Sequence, residues 1–302
     1  MYQARNSQTM FEPALAEAAQ FVESALDTLL PQPNGPEAPV LEAMRYAALG
    51  GGKRMRAFLV LQTGRLFGVD SRALGRVAAA VECVHAYSLV HDDLPAMDDD
   101  DLRRGKPTVH KKFDEATAIL AGDALLTLSF GLISSPEAHG DPFVRCELVT
   151  RLAQAAGHAG MVGGQMMDMV FEGQTPPLPE ITRLQRMKTA ALIMFSCEAG
   201  AILGKASAPL RTALATYGQE LGLAFQIVDD LLDAEGDPAL MGKAAQKDAG
   251  RGKPNVVSVM GPERARSQAE AMAQQAVRHL DLFDEKADLL RAAADFVVAR
   301  RA

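Results

Sequence analysis

"LVHDDLPAMDDDDLRRGKP", residues 89–107, sets six aspartates (Asp92, Asp93, Asp98, Asp99, Asp100 and Asp101) into ten positions and follows them with Arg103 and Arg104. Like charges held this close repel one another unless something cationic lies among them. Upstream, residues 71–93 are apolar at three- and four-residue spacing, the pattern of a helix whose end delivers the acids. Asp92 and Asp98 are six residues apart. On a straight helix that puts them about 120° from each other, so they share a cation only if the helix is distorted. Pro95 lies between them, and an interior proline removes a backbone hydrogen bond and kinks a helix. Such a bulge would turn Asp98 back towards Asp92; the alternative is an ordinary acidic helix end running into a loop.

Helical periodicity extends in both directions from this stretch. It predicts helices at roughly 9–31, 37–49, 54–68, 71–93, 110–134, 141–172, 180–204, 209–235, 262–283 and 285–300. No run alternates with period two in the manner of a strand. The breaks carry Pro and Gly: PQPNGPEAP at 31–39, SSPEAHGDP at 134–142, GQTPPLP at 173–179 and a long basic loop at 236–254. The reading is a single all-α domain, residues 1–302, of about ten helices.

Composition narrows the function. The chain is 48% apolar and 23% charged, with a formal net charge of -7, which argues against a nucleic-acid partner. Cys83, Cys146 and Cys197 lie far apart with no CxxC or Cys/His spacing, so neither a zinc site nor a disulfide framework is expected. The start of the chain lacks the basic and apolar segments of a secretion signal, and a cytoplasmic location is expected. The longest near-apolar stretch, between Lys188 and Lys205, is interrupted by Glu198 and reads as too short to span a membrane.

A second acidic cluster, FQIVDDLLDAEGD, occupies residues 225–237. Asp229 and Asp233 are four apart and share a helix face, where paired carboxylates cost stability. Apolar neighbours Phe225, Ile227, Val228, Leu231 and Leu232 make a merely solvated face a poor account, and a metal site at a buried rim a better one. Two aspartate clusters fit Mg²⁺, which takes one or two carboxylates, waters and substrate phosphates. No EF-hand pattern accompanies them. Cations for a phosphate follow: Lys53, Arg54 and Arg56 after paired glycines, Arg103 and Arg104, Lys188, and Lys243, Lys247, Arg251 and Lys253 in the late loop.

With these pieces placed, the chain resembles the trans-type (all-E) polyprenyl diphosphate synthases, in the short-chain branch that includes bacterial farnesyl diphosphate synthase. DDLPAMDDDDLRRG at 92–105 and FQIVDDLLD at 225–233 look like the family's two aspartate-rich motifs. GGKRMR at 51–56, GGQMMD at 163–168, MKTAALI at 187–193 and GKAAQKDAGRGKPN at 242–255 match its other signatures. The resemblance implies an isoprenoid-synthase fold around a deep central cavity, a homodimer, and head-to-tail condensation of isopentenyl diphosphate with an allylic diphosphate. It implies three Mg²⁺ ions, on Asp92 and Asp98 on one side and Asp229 on the other, with Asp93, Asp230 and Asp233 in support. Arg103, Lys188 and Lys243 would hold the allylic diphosphate; Lys53, Arg56, His85 and Arg104 would hold the isopentenyl diphosphate, with Gly52 and Lys253 also in substrate binding. The Thr189 hydroxyl, the Gln226 side-chain oxygen and the Lys188 carbonyl would stabilise a carbocation, and Gln165 and Asp168 would line the cavity. Asp99, Asp100 and Asp101 read as solvated, or as paired with the arginines.

In the family, a large aromatic five positions before the first aspartate stops growth at fifteen carbons. Tyr87 stands there, which points to farnesyl diphosphate, although a straight helix aligns Ser88 with Asp92. The chain departs from the family pattern at Gln246, where a glycine is usual, and at Pro254-Asn255, which puts closure of the late loop in question. The competing readings are a geranylgeranyl diphosphate synthase, a terpene cyclase, a non-catalytic subunit of a prenyl synthase and a structural cation-binding protein.

Overall fold

The computed structural model describes residues 2–235 and 255–300. Helices α1 (Tyr2–Leu29), α2 (Ala38–Ala48), α3 (Met55–Arg65) and α4 (Ser71–Asp92) come first, followed by strands β1 (Leu102–Arg103) and β2 (Lys106–Pro107). Next are α5 (Val109–Lys112), α6 (Glu115–Ser134), α7 (Pro142–Ala156), α8 (Met161–Val170) and α9 (Leu178–Gln185). A π-helical segment, Arg186–Ala190, joins α9 to α10 (Ala191–Leu203). Then come α11 (Ala208–Glu235), α12 (Val256–Met260), α13 (Pro262–Arg278), a 3-10 stretch at Asp281–Ala287 and α14 (Asp288–Ala299). The all-α expectation holds.

Contacts divide the chain into two compact units. Unit I comprises Leu15–Leu61 and Asp70–Val149; unit II comprises Met1–Ala14, Gln62–Val69 and Thr150–Ala302.

In unit I, α4 starts where the Asp70 carboxylate accepts hydrogen bonds from the amides of Arg72 and Ala73 at 3.0 and 3.2 Å. Most of its side chains are buried, including the run Val77–Val84, so it serves as the central post of the unit. Glu82 is the acid in that run, only 3% exposed. It pairs with the buried Arg54 at 2.9 Å. Arg54 also reaches Glu23 and the carbonyl of Ala48, each at 2.5 Å. This guanidinium therefore ties α1, the end of α2 and the start of α3 to α4.

The predicted helix 110–134 is two helices, because Asp114 takes an extended conformation and caps α6 through the Thr117 amide at 2.8 Å. The short hairpin was not legible as strand. Leu102 pairs with Pro107 and Arg103 with Lys106. Two-residue strands leave no alternation to read. Their turn, Arg104-Gly105, has positive φ at both positions (52° and 74°), as a type I′ turn requires.

In unit II, the predicted helix 141–172 breaks into α7 and α8 around Gly157 and Gly160. α11 carries the second acidic cluster. Its fully buried Tyr217 donates a hydrogen bond to the Leu290 carbonyl of α14 at 2.7 Å. Glu198, the charge that interrupts the apolar 188–205 stretch, is buried between Arg151 at 3.4 Å and Arg211 at 3.6 Å.

By length and composition alone, α4 and α6 are apolar enough to cross a bilayer; 72% of the qualifying window of α4 is buried within the protein, against 39% for α6. The sequence reading weighed near-apolar runs rather than helices that carry a few polar residues, and so passed over both.

Glu82→Ala is expected to lower the unfolding free energy by about 3–5 kcal/mol, because it strands a buried guanidinium. Urea denaturation measures this, and a change below about 0.5 kcal/mol, the range of surface substitutions, would refute it.

Candidate active site

In unit I, α4 ends at Asp92, and Asp93 is its C-cap. Pro95 is therefore not inside a helix. It lies in a turn that closes on itself: the Asp98 amide donates to the Asp92 carbonyl at 2.8 Å, Asp99 to Leu94 at 3.1 Å and Asp100 to Asp93 at 3.1 Å. The expected mechanism was a kinked helix; the observed one is a stopped helix and a compact turn with Asp99 at φ +48°. The outcome for the backbone is the same, since residues six apart in sequence become hydrogen-bonded neighbours.

The aspartates of this turn divide by what they bind. Asp93 is 3% exposed. Arg103 Nε shares its one hydrogen between the two Asp93 oxygens, at 2.8 and 2.9 Å, and Arg103 Nη2 donates to Oδ1 at 2.5 Å. Asp100 lies 3.5 Å from Arg103 Nη2, and Asp101 lies 2.9 Å from Lys111 Nζ. Asp100 pairs with an arginine as expected, whereas Asp101, largely solvated, meets a lysine instead.

The cationic side of unit I rests on the GGKRMR loop. Arg104 donates to the Gly51 carbonyl. Its guanidinium lies against Gly52, where any Cβ would collide with it, and Gly52 has φ +117°. Gly52 is thus a seat for Arg104. His85 keeps a partly exposed edge but is otherwise enclosed, and the enclosure governs its protonation. Its pKa lies well below 6.5, first through burial and then through repulsion by Arg56, Arg104, Arg103 and Arg54. A neutral histidine among arginines, with Lys53 exposed beside them, is an arrangement that favours an anion.

Tyr87 is buried, and its ring meets the His91 ring edge-on at 5.7 Å. Its hydroxyl is pushed up to about 12, by burial and then by the charge of Asp92. The Ser88 hydroxyl turns back to the His85 carbonyl at 2.9 Å.

In unit II, the π segment Arg186–Ala190 carries Lys188 and Thr189. An extra residue per turn re-aims side chains, and such segments often mark functional sites. The segment is held closely, because a Cβ on Gly164 of α8 would overlap the Lys188 backbone and one on Gly222 of α11 would overlap Ala190. Lys188 Nζ pairs with Asp168 at 2.6 Å. The Thr189 hydroxyl donates to Gln226 Oε1 at 2.5 Å. The Gln226 amide in turn donates to Asp230 at 2.9 Å, and the Gln185 amide donates to the other Asp230 oxygen at 2.7 Å. Asp229 pairs with Arg300 at 3.0 Å. Gln165, expected to line a cavity, has a buried Oε1 without a hydrogen-bond partner. Asp233 lies half-buried one turn beyond Asp229 on α11.

Sequence reasoning missed three residues, Glu82, Gln185 and Arg300, and did not foresee the pairing of Arg54. Glu82 was legible in principle, as a lone acid within an apolar helical run, and with it the need for a buried partner such as Arg54. Gln185 and Arg300 carried no local signal, since their partners are 45 and 71 residues away. Lys243, Lys253 and Gln246 lie outside the described residues, as does Pro254.

The donor set fits Mg²⁺. Among the described residues no three His, Cys, Asp or Glu side chains form a metal-holding group. A hard cation completed by waters and phosphates does not require one. The closed turn of Asp92 and Asp98 supplies carboxylate oxygens only, as Mg²⁺ prefers.

Comparison with known proteins agrees with the geometry. The family described as Polyprenyl synthetase matches residues 37–294. Farnesyl diphosphate synthase of Escherichia coli (strain K12) is 47% identical over 272 residues, 87% of this chain and 89% of that one. Farnesyl diphosphate synthase of Geobacillus stearothermophilus is 43% identical, over 97% of this chain and 99% of that one. The apo crystal structure of a FPP/GFPP synthase from Zymomonas mobilis superposes with a TM-score of 0.87 at 49% identity, over 98% of this chain and all of the other. The isoprenoid-synthase fold expected from the motifs is the fold observed.

His85 supplies a test of the cationic cradle. Below about pH 6.5 the unfolded chain protonates this histidine and the folded chain does not, so its contribution to stability falls as pH falls. His85→Gln should flatten that part of the stability–pH curve. In an NMR titration the His85 ring should stay neutral through pH 6, and inorganic pyrophosphate should raise its pKa. A midpoint at 6.5 or above without ligand would contradict the cradle.

Proposed function

The chain belongs to the polyprenyl synthetase family and is a prenyltransferase, and we propose that it condenses isopentenyl diphosphate with dimethylallyl and then geranyl diphosphate to release (E,E)-farnesyl diphosphate. The observation that carries this reading is the composition of unit I. A closed turn of aspartates stands on the same helix as a neutral histidine surrounded by arginines. Oxygen donors for a cation and cations for a diphosphate are what an ionising allylic diphosphate and its partner need.

Asp92 and Asp98 in unit I, and Asp229 in unit II, are the residues that would hold Mg²⁺, three ions in all, which would neutralise the charge that builds on the departing diphosphate. Asp93 and Asp230 act indirectly. The first holds Arg103 in a two-pronged grip for the allylic diphosphate; the second fixes the Gln226 amide. Asp233 supports them from the next turn of α11. Lys188 and Lys243 are the further cations for the allylic diphosphate. Lys53, Arg56, His85 and Arg104 bind isopentenyl diphosphate, with Gly52 leaving room for Arg104, and Lys253 supports diphosphate binding from the late loop.

Once the allylic cation forms, it needs fixed oxygen dipoles and no nucleophile. The Thr189 proton is engaged by Gln226, so the hydroxyl presents lone pairs rather than hydrogen. Gln226 Oε1 and the Lys188 carbonyl complete the set. Such dipoles cost no reorganisation when charge develops. Tyr87 closes the hydrocarbon path after fifteen carbons. The enzyme works as a homodimer, for which α6 offers exposed Ile119 and Leu120, 45% and 56% exposed. A cytoplasmic location suits three free cysteines.

Incubation with Mg²⁺, dimethylallyl diphosphate and excess isopentenyl diphosphate should give a dominant fifteen-carbon alcohol after dephosphorylation. A dominant twenty-carbon product would replace the farnesyl reading by the geranylgeranyl one, and no product would return the chain to a non-catalytic role. Asp92→Ala and Asp229→Ala should each lower kcat by orders of magnitude with the fold intact by circular dichroism. Tyr87→Ala should shift the product towards twenty carbons.

A further inference from the structure

We propose that His91 is a positioning residue for product length: it holds the Tyr87 ring in place, so that the floor of the hydrocarbon path is a pinned pair of rings rather than one side chain. This rests on the reading of Tyr87 as that floor, and it adds a residue that the sequence motifs left without a role.

Three observations, all within unit I, carry it. First, Tyr87 and His91 are four apart on α4 and so lie on one face, where their rings meet edge-on at 5.7 Å with an interplanar angle of 79°. Second, His91 Nε2 lies 3.0 Å from the Ile119 carbonyl of α6. A carbonyl oxygen only accepts, so Nε2 carries the proton and the ring orientation is fixed. Third, the imidazole sits on Gly122, one turn further along α6, where any Cβ would overlap its Nε2 and Cδ2 atoms. The residue is glycine although its φ is ordinary, so the space and not the backbone requires it. His91 is thus held by a hydrogen bond and a glycine seat on α6, and presents its remaining flank to Tyr87.

The physical consequence concerns rotation. The Tyr87 ring is 5% exposed. Its depth in the path depends on what prevents the ring from tilting under the pressure of a growing chain. The imidazole edge is one such stop, and its own anchoring on α6 prevents it from yielding. Without it, the tyrosine has both room and freedom to move aside, and a further five-carbon unit fits.

The test compares product distributions of the full chain and four variants: His91→Ala, His91→Gln, Tyr87→Ala and the double variant Tyr87→Ala/His91→Ala. Each is assayed with geranyl diphosphate and isopentenyl diphosphate, alongside its melting temperature and the kcat and KM of the first condensation. His91→Ala should raise the ratio of twenty- to fifteen-carbon product by roughly five-fold, the scale of one aromatic pair. His91→Gln keeps a donor for the Ile119 carbonyl and fills the seat, and should fall between His91→Ala and the parent. It also serves should His91→Ala fail to fold. The double variant should lengthen product no further than Tyr87→Ala alone, because His91 acts through Tyr87.

Lengthening that adds in the double variant, or unchanged products from both His91 variants while Tyr87→Ala lengthens, would overturn the positioning role and leave the floor in place. An unchanged distribution in Tyr87→Ala would overturn the floor itself and this inference with it.

Discussion

The Arg54–Glu82 ion pair is the constraint on which unit I depends. A guanidinium and a carboxylate, each nearly removed from water, are held 2.9 Å apart. Burying either charge alone costs several kcal/mol, so each fixes the other. Arg54 adopts φ +50°, a conformation unusual for a residue with a side chain. The strain is tolerated because Glu82, Glu23 and the Ala48 carbonyl all converge on its donors. The Glu82 carboxylate also accepts from the Ala57 amide at 3.2 Å, which fixes the start of α3. The result is positional. Lys53 and Arg56 flank Arg54 in the chain, so fixing Arg54 against α4 fixes them relative to His85 one turn further on.

Electrostatics then does two opposite things along one helix. At its end, carboxylates accumulate in a turn closed by backbone hydrogen bonds, with Arg103 and Lys111 drawing off Asp93, Asp100 and Asp101. Two turns earlier, arginines accumulate around a histidine that burial first, and then their charge, keeps neutral. An ion of the opposite sign would relieve the repulsion within each collection. Such a pairing of charges suits a site for a metal and a diphosphate. In unit II the same economy of donors appears as a chain. Gln185 and Gln226 occupy both oxygens of Asp230, and Thr189 points its proton at Gln226. One acid thereby sets the orientation of the Gln226 amide and, through it, of the Thr189 hydroxyl. Arg300 meanwhile places a fixed positive charge against Asp229, stacked on the Phe225 ring at 4.0 Å.

Much of this was legible in the chain. Apolar spacing of 3.6 residues defines helices because a helix must bury one face, and that rule located most elements to within a few residues. It failed where a single residue outranked the pattern: Asp114, whose carboxylate caps α6 and ends α5, and the glycines between α7 and α8. The aspartate turn was anticipated, but for the wrong reason. Pro95 does not bend a helix; the helix has already stopped at Asp92, since the chain hydrogen-bonds to itself in a tight turn instead.

The sequence by itself determined the chemistry: which residue types stand at which spacing, hence carboxylates for a hard cation, arginines for a diphosphate, and an aromatic before the first acid. These follow from local order, because spacing along a helix fixes which side chains share a face. Tertiary structure alone decided the partners. Glu82 found Arg54, Gln185 found Asp230, Arg300 found Asp229, and His91 found a glycine and a carbonyl on a neighbouring helix. A buried polar group must be satisfied, but which donor satisfies it depends on which distant segments packing brings together, and no spacing along the chain records that.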